Sequence, residues 1–190
     1  MDLLIEKCIN HYLEYKNSCI SSEVLDFKRM SLGKAIKLAA MATNEQGTKF
    51  SHQRRLSDEP LKTSFKILSA CENEIGVIKS FDNLIQFIEK KLASIHGLGE
   101  LYFYDTALRI GASLKLFPDK VYLHSGTRLG GIALGLASKG QKTISPKDIP
   151  TIFTSKLNIY EIEDVLCIYK SCFKSGKFEI TSSMEKCCLK

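Results

Sequence analysis

Two amphipathic helical patterns meet near the middle of the chain, with only a few residues between them. The first ends near Ile95, and its apolar residues recur at the i, i+3, i+4 and i+7 spacing of one helix face. The second runs from Glu100 to Leu116 and stops before Pro118, which cannot continue a helix. The intervening His96-Gly97-Leu98-Gly99 leaves room only for a tight reversal. The sequence therefore predicts a helical hairpin.

The same periodicity recurs over most of the 190 residues. Helices are expected over 2–19, 33–41, 58–71, 81–95, 100–116, 126–138, from 145 onward, and over 160–173. Residues 43–59 are polar and aperiodic, which predicts a loop of functional length. Two strand-like runs, 120–124 and 177–180, are too few for a sheet-based fold. The sequence predicts an all-α fold, with a single domain over 1–175 and a weakly ordered tail over 176–190.

The composition, 44% hydrophobic and 25% charged, is typical of an ordinary globular protein. There is no run of about 18 apolar residues, and the first residues lack the basic start of a signal peptide. We therefore expect a cytoplasmic protein without a membrane partner. Seven cysteines occur without a Cys-x-x-Cys pair, so no metal site is expected. The adjacent Cys187 and Cys188 are expected to be exposed and oxidisable.

The glycines of the hairpin allow two interpretations. Gly97 can adopt the positive φ of a tight reversal, and Gly99 lets the backbone approach a ligand without a Cβ in the way. The amides that follow would lie at a helix N-terminus, where unpaired N–H groups and the helix dipole favour an anion such as phosphate. In the alternative interpretation, the hairpin is only a connection between two packed helices.

The segment after the hairpin, KVYLHSGTRLGGIALGL over 120–136, extends the pattern. Together the two pieces resemble the helix-hairpin-helix superfamily of DNA glycosylases, of the endonuclease III type. The matching positions are Ile95, Gly97, Leu98, Gly99, His124, Arg128 (one residue later than in the family) and the ALGL of 133–136. The resemblance implies a DNA glycosylase-like helical bundle with its hairpin region over 80–137. It also implies DNA as a partner and a role in DNA repair, and the hairpin would contact the nucleic-acid backbone without reading bases.

The departures from this family fall on its catalytic residues. The family's aspartate position is Tyr122 here, and the lysine position of its bifunctional members is Leu101. Neither side chain can stabilise the oxocarbenium-like transition state or form a Schiff base. Asp105 and Asp119 are the candidates for a relocated acid; the catalytic residues are otherwise unknown. A competing interpretation of Asp105 is an i, i+4 ion pair with Arg109.

The net charge of +6 is compatible with a polyanionic partner, and basic residues could supply further phosphate contacts. The most basic short run is KFSHQRR over 49–55, whose arginines could instead pair with Asp58 and Glu59. The predicted nucleic-acid-binding set is His96, Gly97, Leu98, Gly99, Lys120, His124, Arg128, Arg54 and Arg55. No cofactor is expected, apart from a monovalent cation that hairpin carbonyl oxygens could bind.

Three functions follow from these residues. The first is binding to duplex DNA through the hairpin without glycosylase activity. The second is an interaction module for a protein partner, with an exposed apolar patch near Phe27, Met30 or the C-terminal helix. The third is a divergent glycosylase or lyase that uses Asp105 or Asp119. The aromatic residues Tyr102 and Tyr104 could stack on a base, although core packing is the simpler interpretation.

Overall fold

The computed structural model describes residues 1–18 and 23–180. Within these ranges it contains eleven α-helices, a 3₁₀ turn over Pro146–Asp148 and two short strands, so the prediction of a helical protein is confirmed. The helices are α1 (Asp2–Ser18), α2 (Glu23–Lys28), α3 (Leu32–Met41), α4 (Asp58–Ala70), α5 (Glu72–Gly76), α6 (Phe81–Leu92), α7 (Glu100–Leu114), α8 (Ser125–Ala133), α9 (Thr151–Thr154), α10 (Ile159–Ile168) and α11 (Lys170–Ser175). The strands are β1 (Val121–Tyr122) and β2 (Thr143–Ile144).

The chain divides into two compact units. Residues Ser21–Phe117 form the first, here called the hairpin unit, and Met1–Ile20 together with Pro118–Lys190 form the second, the terminal unit. The single domain over 1–175 stays a prediction from the sequence. The first helix belongs with the end of the chain because its apolar residues Ile5 and Ile9 lie in one buried cluster with Phe153 and Leu166.

The core of the hairpin unit is built around α7, which packs against α2, α3 and α6. Tyr102 and Tyr104 are both buried, which confirms the core-packing interpretation of these aromatics. The Tyr102 hydroxyl donates to the carbonyl oxygen of Ala40 at 2.7 Å and shares a hydrogen bond with the Ser64 hydroxyl at 2.7 Å. A buried tyrosine whose hydroxyl is satisfied in this way stabilises a core.

The terminal unit is organised around the contact of α8 with α10. Two glycines of α8 make this contact close, because a Cβ at Gly126 would overlap the sulfur of Cys167 and one at Gly130 would overlap the carbonyl of Leu166. The strands β1 and β2 pair antiparallel, with Val121 opposite Ile144. The apolar face of α1 completes this core.

Several helix boundaries differ from the sequence prediction. The expected helix over 160–173 is two helices, because Tyr169 has non-helical dihedral angles (φ −96°, ψ 14°). Residues 72–76 form the short helix α5, where a connection was expected, and Ile75 is buried there. The run 120–124 contains β1, whereas 177–180 contains no strand. Residues 181–190, with Cys187 and Cys188, lie outside the described residues.

The apolar patch expected for an interaction module stays a prediction: near Phe27, Leu25 is 49% exposed and Met30 is partly exposed. Phe27 is buried, and the last described helix, α11, buries Cys172 and Phe173. Single apolar side chains are exposed elsewhere, among them Leu129 and Ile132 on α8. Among the residues that the structure describes, no helix is both long enough and apolar enough to cross a membrane.

Candidate functional site

The turn between α6 and α7 has the geometry that its glycines predicted. Gly97 has φ +91°, in the left-handed region that L side chains rarely adopt. The Leu98 side chain is buried, and its N–H donates to the carbonyl oxygen of Ile95 at 3.3 Å. A buried leucine between two exposed glycines fixes the turn to the core while its backbone faces outward.

The N-terminus of α7 is open. Gly99 is its N-cap, with an extended φ of −129°, and a Cβ built there meets no atom within 4 Å. In the described part of the chain, the backbone N–H groups of Gly97, Gly99 and Leu101 have no acceptor. Because α7 has 15 residues, its dipole places partial positive charge at these amides. The arrangement can bind an anion.

The first turn of α4 lies beside the hairpin. A Cβ built at Gly97 would be 3.8 Å from Cγ of Pro60, the third residue of α4. The polar segment that leads into α4 carries Arg54 and Arg55, and both are exposed. Neither forms a hydrogen bond or ion pair with a described residue, so both guanidinium groups are available to a ligand.

The alternative in which these arginines pair with neighbouring acids is not what the structure shows. Lys49 takes that position: its Nζ donates to Asp58 Oδ1 at 2.6 Å and to the carbonyl oxygen of Leu56 at 2.8 Å. The hydrogen bond and charge of Lys49 lower the pKa of Asp58 below its usual value. Lys49 therefore stabilises the end of the segment, and neither arginine pairs with an acid within 1–18 or 23–180.

A buried arginine holds the same segment from the other side. Arg109 of α7 donates from Nη1 to Gln53 Oε1 at 2.7 Å, and its guanidinium lies 4.0 Å from the ring centroid of Phe50. Its Nε contacts Glu23 of α2, and its Nη2 lies 3.7 Å from Asp105. The predicted i, i+4 pair of Asp105 and Arg109 is therefore present, with Arg109 in the interior rather than on the surface.

The remaining predicted contacts lie in the terminal unit, where they have structural partners. His124 is buried, and burial together with the charge of Arg128 lowers its pKa to about 4, so it is neutral at pH 7. Arg128 donates to the carbonyl oxygens of Leu123 at 2.6 Å and Gln141 at 3.0 Å. Lys120 Nζ lies 5.7 Å from the Tyr122 ring centroid. These groups stabilise the segment that leads into α8.

The two candidate acids lie in different units of the chain. Asp105 belongs to the hairpin unit and contacts Arg109, whereas Asp119 is an exposed residue of the terminal unit. In the described ranges, no group of three or more His, Cys, Asp and Glu side chains could hold a metal ion. The monovalent cation at the hairpin stays a prediction.

Sequence reasoning missed Gln53, which is 2% exposed within a segment that is otherwise polar and aperiodic. No local signal distinguishes this glutamine from its solvated neighbours, because its partner Arg109 is 56 positions away. The one local hint was Arg109, a basic residue on the apolar face of α7. The acid four residues before it, Asp105, offered a simpler explanation, an i, i+4 ion pair.

No family model matches the chain, and neither the curated proteins nor the solved structures include one that is significantly similar to it.

Proposed function

We propose that this protein binds the sugar-phosphate backbone of duplex DNA through the Gly97–Gly99 turn, without sequence specificity. The observation that carries the proposal is the open N-terminus of α7, where three amides have no acceptor among the described residues and Gly99 has free space around it. A phosphate oxygen is the acceptor that such amides favour in nucleic-acid complexes. The resemblance of this turn to the hairpin of the DNA glycosylase superfamily supports the same surface as the binding site.

Two exposed arginines support a second contact. Arg55 precedes Pro60 by five residues, so the two Cα atoms lie within about 18 Å of each other. Pro60 itself lies beside Gly97. Duplex DNA carries a charge about every 1.7 Å along its axis, so one duplex offers phosphates to both the turn and the arginines. Arginine also matches phosphate geometry through its planar fork of donors.

The proposal does not include glycosylase chemistry. Tyr122 and Leu101 occupy the positions at which the glycosylases that the chain resembles carry an aspartate and a lysine. Asp105 contacts the buried guanidinium of Arg109, which gives this acid a structural role. Binding that depends on phosphates alone has a dissociation constant of about 10⁻⁴ to 10⁻⁶ M at physiological salt.

The test is a salt titration of binding to a duplex, comparing the wild type with Gly99→Val. Gly99→Val places a branched side chain beside the amides, at a position where a Cβ meets no atom within 4 Å. The matched control is Ser31→Val at the N-cap of α3, which is also extended and makes no side-chain capping bond. We expect Gly99→Val to lower the affinity for the duplex about tenfold at low salt, because it removes charge-assisted hydrogen bonds from the amides to a phosphate. Ser31→Val should retain the wild-type affinity.

Two results would contradict the proposal. The first is a wild type that does not bind at about 50 mM salt, or that binds without salt dependence. The second is a Gly99→Val variant with wild-type affinity, which would show that the amides of the turn do not contact the duplex.

A further inference from the structure

Arg109 is a charged side chain with almost no solvent contact. Its side chain is 4% exposed, and it lies on the second hairpin helix, ten residues after Gly99. A guanidinium is rarely buried unless its charge and donors are satisfied. The partners that satisfy Arg109 come from three different parts of the hairpin unit, so this residue connects elements that are distant in sequence.

Two of these partners belong to the segment that carries the exposed arginines. Phe50 stacks on the guanidinium, and Gln53 accepts a hydrogen bond from it. Only the oxygen of the Gln53 amide can accept from a guanidinium, which fixes the orientation of that side chain. Gln53 is buried, and the next two residues, Arg54 and Arg55, are exposed.

The backbone of the segment closes on itself at the same place. The N–H of Gln53 donates to the carbonyl oxygen of Phe50 at 2.9 Å, and the N–H of Leu56 donates to that of Gln53 at 3.0 Å. Arg54 and Arg55 therefore lie inside a turn whose anchor residue is bound to α7. The helix that presents the amides also holds the turn that presents the arginines.

From these contacts we infer that Arg109 is a positioning residue of the phosphate-binding surface, which holds Arg54 and Arg55 in place through Gln53 and Phe50. The inference rests on the proposed function. Holding the arginines before DNA arrives removes part of the entropic cost of ordering them on binding. Arg109 itself contacts no phosphate, because it is buried.

The arginines provide a measurement that does not depend on DNA, because trypsin cleaves after Arg54 and Arg55 only when the turn opens. We expect Gln53→Ala and Arg109→Lys to increase the rate of tryptic cleavage at these two bonds by about tenfold. Lysine keeps the charge of Arg109 but lacks its fork of donors. Gln53→Ala leaves Arg109 with Glu23 and Asp105, so it tests the turn even if the Arg109 variant does not fold.

The same variants are then compared in DNA binding. In an Arg54→Ala/Arg55→Ala double variant, the plot of log affinity against log salt should become less steep by about 1.8, which corresponds to two lost phosphate contacts. Gln53→Ala and Arg109→Lys keep both arginines, so they should lower the affinity about threefold to tenfold at every salt concentration while the slope stays close to that of the wild type. Tyr102→Phe is the matched control, because it removes hydrogen bonds of α7 to Ala40 and Ser64 without touching the turn.

Each outcome decides something. Faster cleavage and a lower affinity in the two variants, but not in Tyr102→Phe, support the inference. Wild-type affinity in both variants overturns the inference and leaves the proposed function intact. Equal acceleration of cleavage in Tyr102→Phe has the same consequence. A wild type that does not bind DNA at about 50 mM salt overturns the proposed function and the inference with it.

Discussion

Gly130 of α8 lies directly against the backbone of Leu166 in α10, so that a Cβ at position 130 would overlap the Leu166 carbonyl oxygen. In most helix interiors, alanine is more favourable than glycine by about 0.5–1 kcal/mol. Here we expect the opposite sign, because Gly130→Ala forces α8 away from α10. The free energy of unfolding should fall by about 2 kcal/mol or more, measured by urea denaturation.

Leu129→Ala is the control for this prediction. Leu129 is the adjacent residue of α8 and is 56% exposed, so its truncation should change the free energy of unfolding by less than about 0.5 kcal/mol. If Gly130→Ala were as stable as the wild type, the close packing of α8 on α10 described above would be wrong.

The two glycines of the hairpin should respond in opposite ways to the same substitution. Gly97→Ser places a side chain at φ +91°, which should cost about 1–2 kcal/mol of stability. Gly99→Ser introduces a preferred N-cap residue at an extended, unobstructed position, and it should leave stability unchanged or raise it slightly. Thermal unfolding of the two variants makes the comparison directly. Equal losses in both would show that Gly97 does not need its left-handed conformation.

The hairpin could be predicted because its signals are local. The apolar stripe of α6, the N-cap Ser80 and the two glycines all lie within about twenty residues, and periodicity with capping chemistry is enough to place them. The Ser80 side chain accepts a hydrogen bond from the Asn83 N–H at 3.2 Å. The open amides at Gly99 follow from the same local pattern.

The rest of the candidate site could not be predicted, because it depends on contacts between distant segments. The contact of Gln53 with Arg109 spans 56 positions, and no feature of either segment alone indicates it. For His124, the sequence pattern suggested a contact with a ligand that the fold does not allow. Its position in the motif suggested a phosphate contact, whereas burial makes it neutral and inaccessible at pH 7. Sequence spacing describes which residues are near in the chain and not which of them the core covers.

The buried His124 predicts an acid-sensitive stability. Its pKa is about 4 in the folded protein, below the ordinary value of 6.5, so the unfolded chain binds more protons between these two values. Stability from this residue is therefore complete above about pH 6.5 and is lost as the pH falls toward 4. The loss should amount to about 3 kcal/mol by pH 4, measured by urea denaturation from pH 7 downward.

A matched pair of glutamine substitutions isolates this contribution. His124→Gln removes the titrating group, so its stability should depend less on pH over this range than that of the wild type. His96→Gln replaces an exposed histidine of the hairpin turn and should retain the wild-type slope. Identical pH profiles for the wild type and His124→Gln would show that the ring is not held in its neutral form by the fold.

An acid at the start of α7 should weaken the proposed binding. Glu100 is the first residue of this helix and is exposed, so its carboxylate occupies the favourable field of the helix dipole that a phosphate would use. Glu100→Gln should therefore raise the affinity for duplex DNA about two- to fivefold at low salt, with the gain shrinking as salt increases. Asp148→Asn removes an exposed charge from the 3₁₀ turn of the terminal unit, so it controls for the change in net charge and should have little effect. Equal gains in both variants would indicate a general effect of net charge, and no gain in either would place the DNA away from the N-terminus of α7.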